Sequence, residues 1–125
     1  MANPPDAAPY GAPVPPARSG RLTLTALAKM VSAGERLAML TAYDASLAGV
    51  CDRAGVDILL VGDSLGMVIQ GHPTTLPVEL SHALYHTRCV VAGSTRPLVI
   101  TDLPFGTYQA GPEDAFRASA AALQA

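Results

Sequence analysis

Two apolar runs in this chain each stop at a carboxylate. Asp57 to Asp63 reads D-I-L-L-V-G-D, and Pro97 to Asp102 reads P-L-V-I-T-D. Turn chemistry follows both: Ser64, Leu65 and Gly66 after the first, Leu103, Pro104, Phe105 and Gly106 after the second. In parallel α/β architectures ligands bind at the carboxyl ends of the strands, so Asp63 and Asp102 are placed for chemistry. Two carboxylates completed by water are the usual way a protein holds Mg²⁺. Open positions on such an ion suit a 2-oxo acid, chelated through its carboxylate and keto oxygen, and the ion would stabilise an enolate as a Lewis acid. A strand-end aspartate also serves as a helix N-cap or turn former. Spacing alone does not choose.

The elements that must position these groups alternate. Leu24, Leu27, Ala28 and Val31 recur at helical spacing, with Thr23 or Thr25 as N-cap and Gly34 as the stop. A first strand is predicted over 37–41, leading to Ala42, Tyr43 and Asp44. Leu47, Ala48, Val50, Cys51 and Ala54 then form an apolar helical stripe closed by Gly55. The second strand is predicted over 57–62. A proline-bearing loop runs from Asp63 to about Pro77, and a helix over 79–92 carries Leu80, Ala83, Leu84, Thr87 and Val91 on one side and ends at Gly93. The third strand is predicted over 98–101, followed by an irregular loop. Pro112 at N1, with Glu113 and Asp114 in the first turn, opens a last helix through Gln124.

One helix followed by three β-α units predicts an α/β fold with parallel strands and right-handed crossovers. A closed (β/α)₈ TIM-type barrel takes about 250 residues, so the chain would supply about three of its β/α units. Met1 to Gly20, with prolines at 4, 5, 9, 13, 15 and 16, reads as a disordered or polyproline-like tail, and 21–125 as the barrel portion.

Composition narrows the partners. Half of the 125 residues are hydrophobic and 14% are charged, which predicts a substantial core. A net charge of -2 without a basic cluster argues against nucleic acid. No run approaches the roughly 20 apolar residues of a membrane span, and the N-terminus lacks the pattern of a signal peptide. Cys51 and Cys89 stand alone, which suits a reducing cytoplasm.

Several other residues have two readings. Asp44 is either a pocket residue or the cap of the 45–54 helix. Tyr43 either faces the pocket or fills the core. His72 lines the site mouth or is simply exposed. His82 and His86 share the i, i+4 spacing of a zinc pair but lack the H-E-x-x-H pattern. Met67 and Leu65 read as packing. Gly62, Gly66 and Gly71 match neither a dinucleotide fingerprint nor a P-loop.

The ordered segments T-A-Y-D at 41–44, V-G-D-S-L-G-M at 61–67, Q-G-H-P-T-T-L-P at 70–77, Y-H-T-R at 85–88 and T-D-L-P-F-G at 101–106 carry a resemblance. From about Leu22 onward the chain resembles the N-terminal portion of the 3-methyl-2-oxobutanoate (ketopantoate) hydroxymethyltransferases. The resemblance implies a (β/α)₈ barrel of pantothenate biosynthesis that moves a hydroxymethyl group from 5,10-methylenetetrahydrofolate to 3-methyl-2-oxobutanoate, giving 2-dehydropantoate. It implies that Asp63 and Asp102 hold Mg²⁺ and lie against the oxo acid, that Ser64 holds the substrate carboxylate by its backbone or hydroxyl, and that the whole protein is a homo-oligomer, typically a decamer.

The family's substrate lysine, third metal carboxylate and glutamate base match nothing in this sequence. Lys29 is its only lysine, and it falls in the first predicted helix. The isolated chain is therefore expected to be inactive. Two alternatives stand beside this reading: a non-catalytic product that binds a partner chain, and a Mg²⁺-dependent barrel lyase or mutase acting on phosphoenolpyruvate- or isocitrate-like acids.

Overall fold

Strands form where β-branched and leucine residues run together, and here each run pairs with the next. The computed structural model describes residues 20–125; the predicted N-terminal tail lies outside them, save Gly20. The order is α1 (Leu24–Ser32), β1 (Met39–Thr41), α2 (Ala45–Arg53), β2 (Ile58–Val61), α3 (Leu65–Val68), α4 (Leu80–Gly93), β3 (Leu98–Thr101) and α5 (Pro112–Gln124). The strands form one parallel sheet in the order β1-β2-β3. The expected parallel α/β arrangement is thus present as a three-stranded sheet.

Register assigns the two sheet faces. Thr41, Leu60 and Ile100 are in line, as are Leu40, Leu59 and Val99. Leu59 and Val61 are fully buried and pack with Ala48 and Cys51 of α2 and Val90 of α4, with Val99 against the same cluster. On the other face Met39 and Ile100 remain exposed, and no described element covers them. Parallel strands are ordinarily buried on both faces.

The helix termini follow from local chemistry. Thr23 caps α1, its hydroxyl accepting from the Ala26 amide at 3.2 Å. Gly55 follows Ala54, the C-cap of α2, at φ 83°, a conformation that costs any side-chain-bearing residue steric strain.

Three expectations need correction. The region after Asp63 is not wholly irregular, because α3 forms a single turn there. Gly93, expected just past the end of the 79–92 helix, is instead its last helical residue. Its hydrogen faces Ala45 at the start of α2, where a Cβ would overlap the Ala45 backbone. Glycine is required for close approach of two helices. Third, the apolar stripe of α1 is shifted: Leu24 and Val31 are 74% and 57% exposed, while Leu27 and Met30 are buried. The reason is that α1 lies across the strand starts. With Leu22, its buried residues pack against Leu37, Ile58 and Leu98, at the amino ends of the strands.

Salt bridging fastens that same end. Arg96 reaches Asp57 Oδ1 at 2.7 Å and the Gly55 and Val56 carbonyls at 3.3 and 3.1 Å, while Asp57 Oδ2 accepts from the Ala38 amide at 2.9 Å. Arg21 donates to the carbonyls of Ser94 and Pro97 at 2.7 and 2.8 Å.

Candidate active site at the carboxyl end of the sheet

Parallel pairing brings Asp63 and Asp102 to the same end of the sheet. Val61 is in register with Thr101, and the Asp102 amide donates to the Val61 carbonyl at 2.9 Å, so the ladder runs one residue past β3. Asp63 follows Gly62 at the close of β2, half-buried, and its carbonyl accepts from the Gly66 amide at 2.9 Å as the chain turns into α3. Neighbouring strands lie about 4.8 Å apart, so the two residues leave adjacent strands at one rim of the sheet.

These two carboxylates differ from the other described aspartates in having no side-chain partner. Asp44 Oδ1 accepts from the Leu47 amide at 2.8 Å, Asp52 Oδ2 from the Thr95 amide at 2.6 Å, and Asp57 pairs with Arg96. Asp114 lies 4.0 Å from Arg117. Among the described residues, no hydrogen bond or ion pair engages the side chain of Asp63 or Asp102. The donor set fits Mg²⁺: hard, anionic oxygens, few enough to leave room for water or substrate. Among the described residues no group of three or more His, Cys, Asp or Glu side chains converges on a metal position. The pair would supply only part of a shell.

Ser64 stands at the N-cap of α3, yet its hydroxyl makes no capping bond. It meets the Tyr43 phenol at 2.5 Å. Tyr43 is 6% exposed, one residue beyond the point where the Ala42 amide bonds the Leu60 carbonyl. It therefore both fills the core and touches a site residue. Asp44 is the N-cap of α2, so its carboxylate serves the helix. His72 is half-exposed in the loop after α3; its amide bonds the Gly66 carbonyl at 2.8 Å and its ring has no partner among the described residues. Met67 does not pack: it is 49% exposed, whereas Leu65 is fully buried.

The histidines of α4 serve the backbone. His82 Nδ1 accepts from the Glu79 amide at 3.2 Å, closing the helix start. His86 Nδ1 bonds the Tyr43 carbonyl at 2.6 Å. A carbonyl can only accept, so His86 carries its proton on Nδ1. The i, i+4 spacing of these rings gives no hint of these roles; the His86 contact with Tyr43 joins residues 43 positions apart and leaves no local signal.

The family model for Ketopantoate hydroxymethyltransferase matches residues 21–125. A 3-methyl-2-oxobutanoate hydroxymethyltransferase of Thiobacillus denitrificans is 59% identical over 104 residues, covering 83% of this chain and 40% of that protein. Those of Ralstonia nicotianae and Neisseria meningitidis serogroup A are 58% and 53% identical over 104 residues, covering 38% and 40% of their lengths. The chain spans about two-fifths of the length of the curated relatives it matches. By the extent of the match, it belongs to the ketopantoate hydroxymethyltransferase family.

Proposed function

We propose that this chain supplies the metal and oxo-acid side of a 3-methyl-2-oxobutanoate hydroxymethyltransferase of pantothenate biosynthesis. The observation that carries the reading is the pair Asp63 and Asp102. They stand at adjacent strand ends with carboxylates free of any described partner, while the other described aspartates are engaged. In this reading the two carboxylates hold Mg²⁺. When bound, the ion polarises the keto group of the oxo acid and makes its neighbouring C–H more acidic. Ser64 donates its hydroxyl to the substrate carboxylate. Tyr43 walls the site from the core side, and His72 sits in the loop bordering it.

The same reading includes 5,10-methylenetetrahydrofolate as one-carbon donor, a (β/α)₈ barrel as the complete catalytic domain over 21–125 and beyond, a decameric whole protein and a cytoplasmic setting. The bare sheet face bearing Met39 and Ile100 supports the barrel, whose interior that face would line. No helix among the described residues is long and apolar enough to cross a membrane. Lys29 lies in α1, which packs across the opposite end of the strands, so it cannot serve the site. The 125-residue chain alone is expected to show no turnover.

The test is a chimera. Residues 22–125 replace the matching segment of the Thiobacillus denitrificans relative, and 2-dehydropantoate formation is measured. Activity in the chimera, lost on Asp63→Asn or Asp102→Asn with the fold intact, is the expected result. Full activity in both variants would sink the assignment.

A further inference from the structure

Ser64 departs from what serine at a helix N-cap normally does. Its oxygen usually accepts from an amide of the first turn, but α3 has no such bond, and the hydroxyl is turned to the Tyr43 phenol. A hydroxyl has one proton to give and two lone pairs to receive with. If Ser64 donated to Tyr43, it would have no proton for a ligand. A phenol is the stronger donor of the two, so the 2.5 Å contact is assigned with the Tyr43 proton on Ser64 Oγ. Ser64 then keeps its own O–H, and accepting a bond makes that O–H a somewhat better donor.

What fixes Tyr43 is equally specific. Its ring belongs to the buried cluster with Leu59, Val61, Leu65 and Val78. Its carbonyl accepts from His86 Nδ1, and the His86 ring stands edge-on to both Tyr43 and Tyr85, at 6.4 and 5.2 Å between centroids. His86 thereby ties α4 to the end of β1, and Tyr43 ties the end of β1 to the start of α3. Both connections lie at the rim that carries Asp63.

We propose that Tyr43 is a positioning residue: its phenol holds Ser64 in one rotamer with the serine proton directed at an incoming carboxylate, and His86 locks Tyr43 through its carbonyl. This rests on the functional reading above, in which Ser64 meets the oxo-acid carboxylate. The bland alternative is a buried phenol merely satisfied by the nearest oxygen.

The two are separated by NMR on the full, isotopically labelled chain. Without ligand, the Ser64 Hα–Hβ couplings should show one rotamer; Tyr43→Phe, which keeps the ring and its packing, should average them. His86→Leu should loosen them, and His86→Asn, which restores a donor near the Nδ1 position, should recover them. With Mg²⁺ present, Tyr43→Phe should weaken 3-methyl-2-oxobutanoate binding about fivefold, the size of one lost hydrogen bond, with Mg²⁺ affinity unchanged. Ser64 couplings indifferent to Tyr43→Phe, or equal oxo-acid affinity in both proteins, overturn the proposal. Failure of the unmutated chain to bind the oxo acid, with the coupling response intact, counts against the functional reading and leaves Tyr43's hold on Ser64 supported.

Discussion

Asp57 and Asp63 bracket the same strand and live in opposite circumstances. Asp57, at the amino end, is buried, paired with Arg96 at 2.7 Å and bonded to the Ala38 amide. Asp63, at the carboxyl end, has a carboxylate that no described side chain or amide engages. The same division holds for the neighbouring strand, where Arg96 and Pro97 precede β3 inside the arginine network and Asp102 follows it in the open. A charge bonded on all sides is a structural part, and its removal damages the fold. An unengaged charge contributes little to folding and remains available to a ligand. The sheet thus has a fastened end and an end whose carboxylates stay open, and on the proposed function the open end is the working one.

The sharpest way to break this contrast is to remove each carboxylate in turn and measure chemical denaturation. Asp57→Ala leaves the Arg96 guanidinium largely buried and unpaired, and should cost about 3 kcal/mol or more. Asp63→Asn should stay within about 0.5 kcal/mol of the parent while abolishing Mg²⁺ binding followed by calorimetry. Equal losses from the two substitutions would erase the distinction between the ends. A smaller effect sharpens it: Gly93→Ala places a methyl against Ala45 between α2 and α4 and should cost about 2 kcal/mol, with Mg²⁺ affinity unaltered.

The smallest effect concerns pH. Burial pushes the Asp52 carboxyl upward, but the Thr95 amide and hydroxyl, the Arg96 amide and the Arg96 charge outweigh it, so its pKa is lowered from 3.8. A carboxyl whose folded pKa is depressed stabilises the fold fully above its unfolded value, and that contribution is lost as pH falls through the folded one. Stability should therefore decline as pH falls below about 4, and Asp52→Asn should flatten that part of the curve. An identical acid limb in both proteins would show that Asp52 has no share in fastening this end.

How much of this was legible beforehand depends on the range of each interaction. The strands could be read because their residues announce them in unbroken runs, and the helices because Gly55 and Pro112 mark a stop and a start. The turn of α3 was hidden by its brevity within a loop marked by glycine and proline. The stripe of α1 was misplaced because periodicity reports an apolar face and says nothing of whether it meets a sheet surface or a row of strand ends. Spacing offered Asp63 and Asp102 as site residues; it could not say that they would be the unengaged pair. Asp44 was left between pocket and cap, and the bond from the Leu47 amide assigns it to the helix. The partners of Asp57, Arg96 and His86 lay beyond reach, since each contact joins residues about 40 positions apart that share no motif.

Gly93 has a consequence for anyone who surveys this protein by saturation mutagenesis. The position excludes every larger residue because two helices touch there. A fitness map would colour it as intensely as an aspartate at the working end, and only an assay that separates folded yield from ligand affinity would tell intolerance of bulk from loss of chemistry.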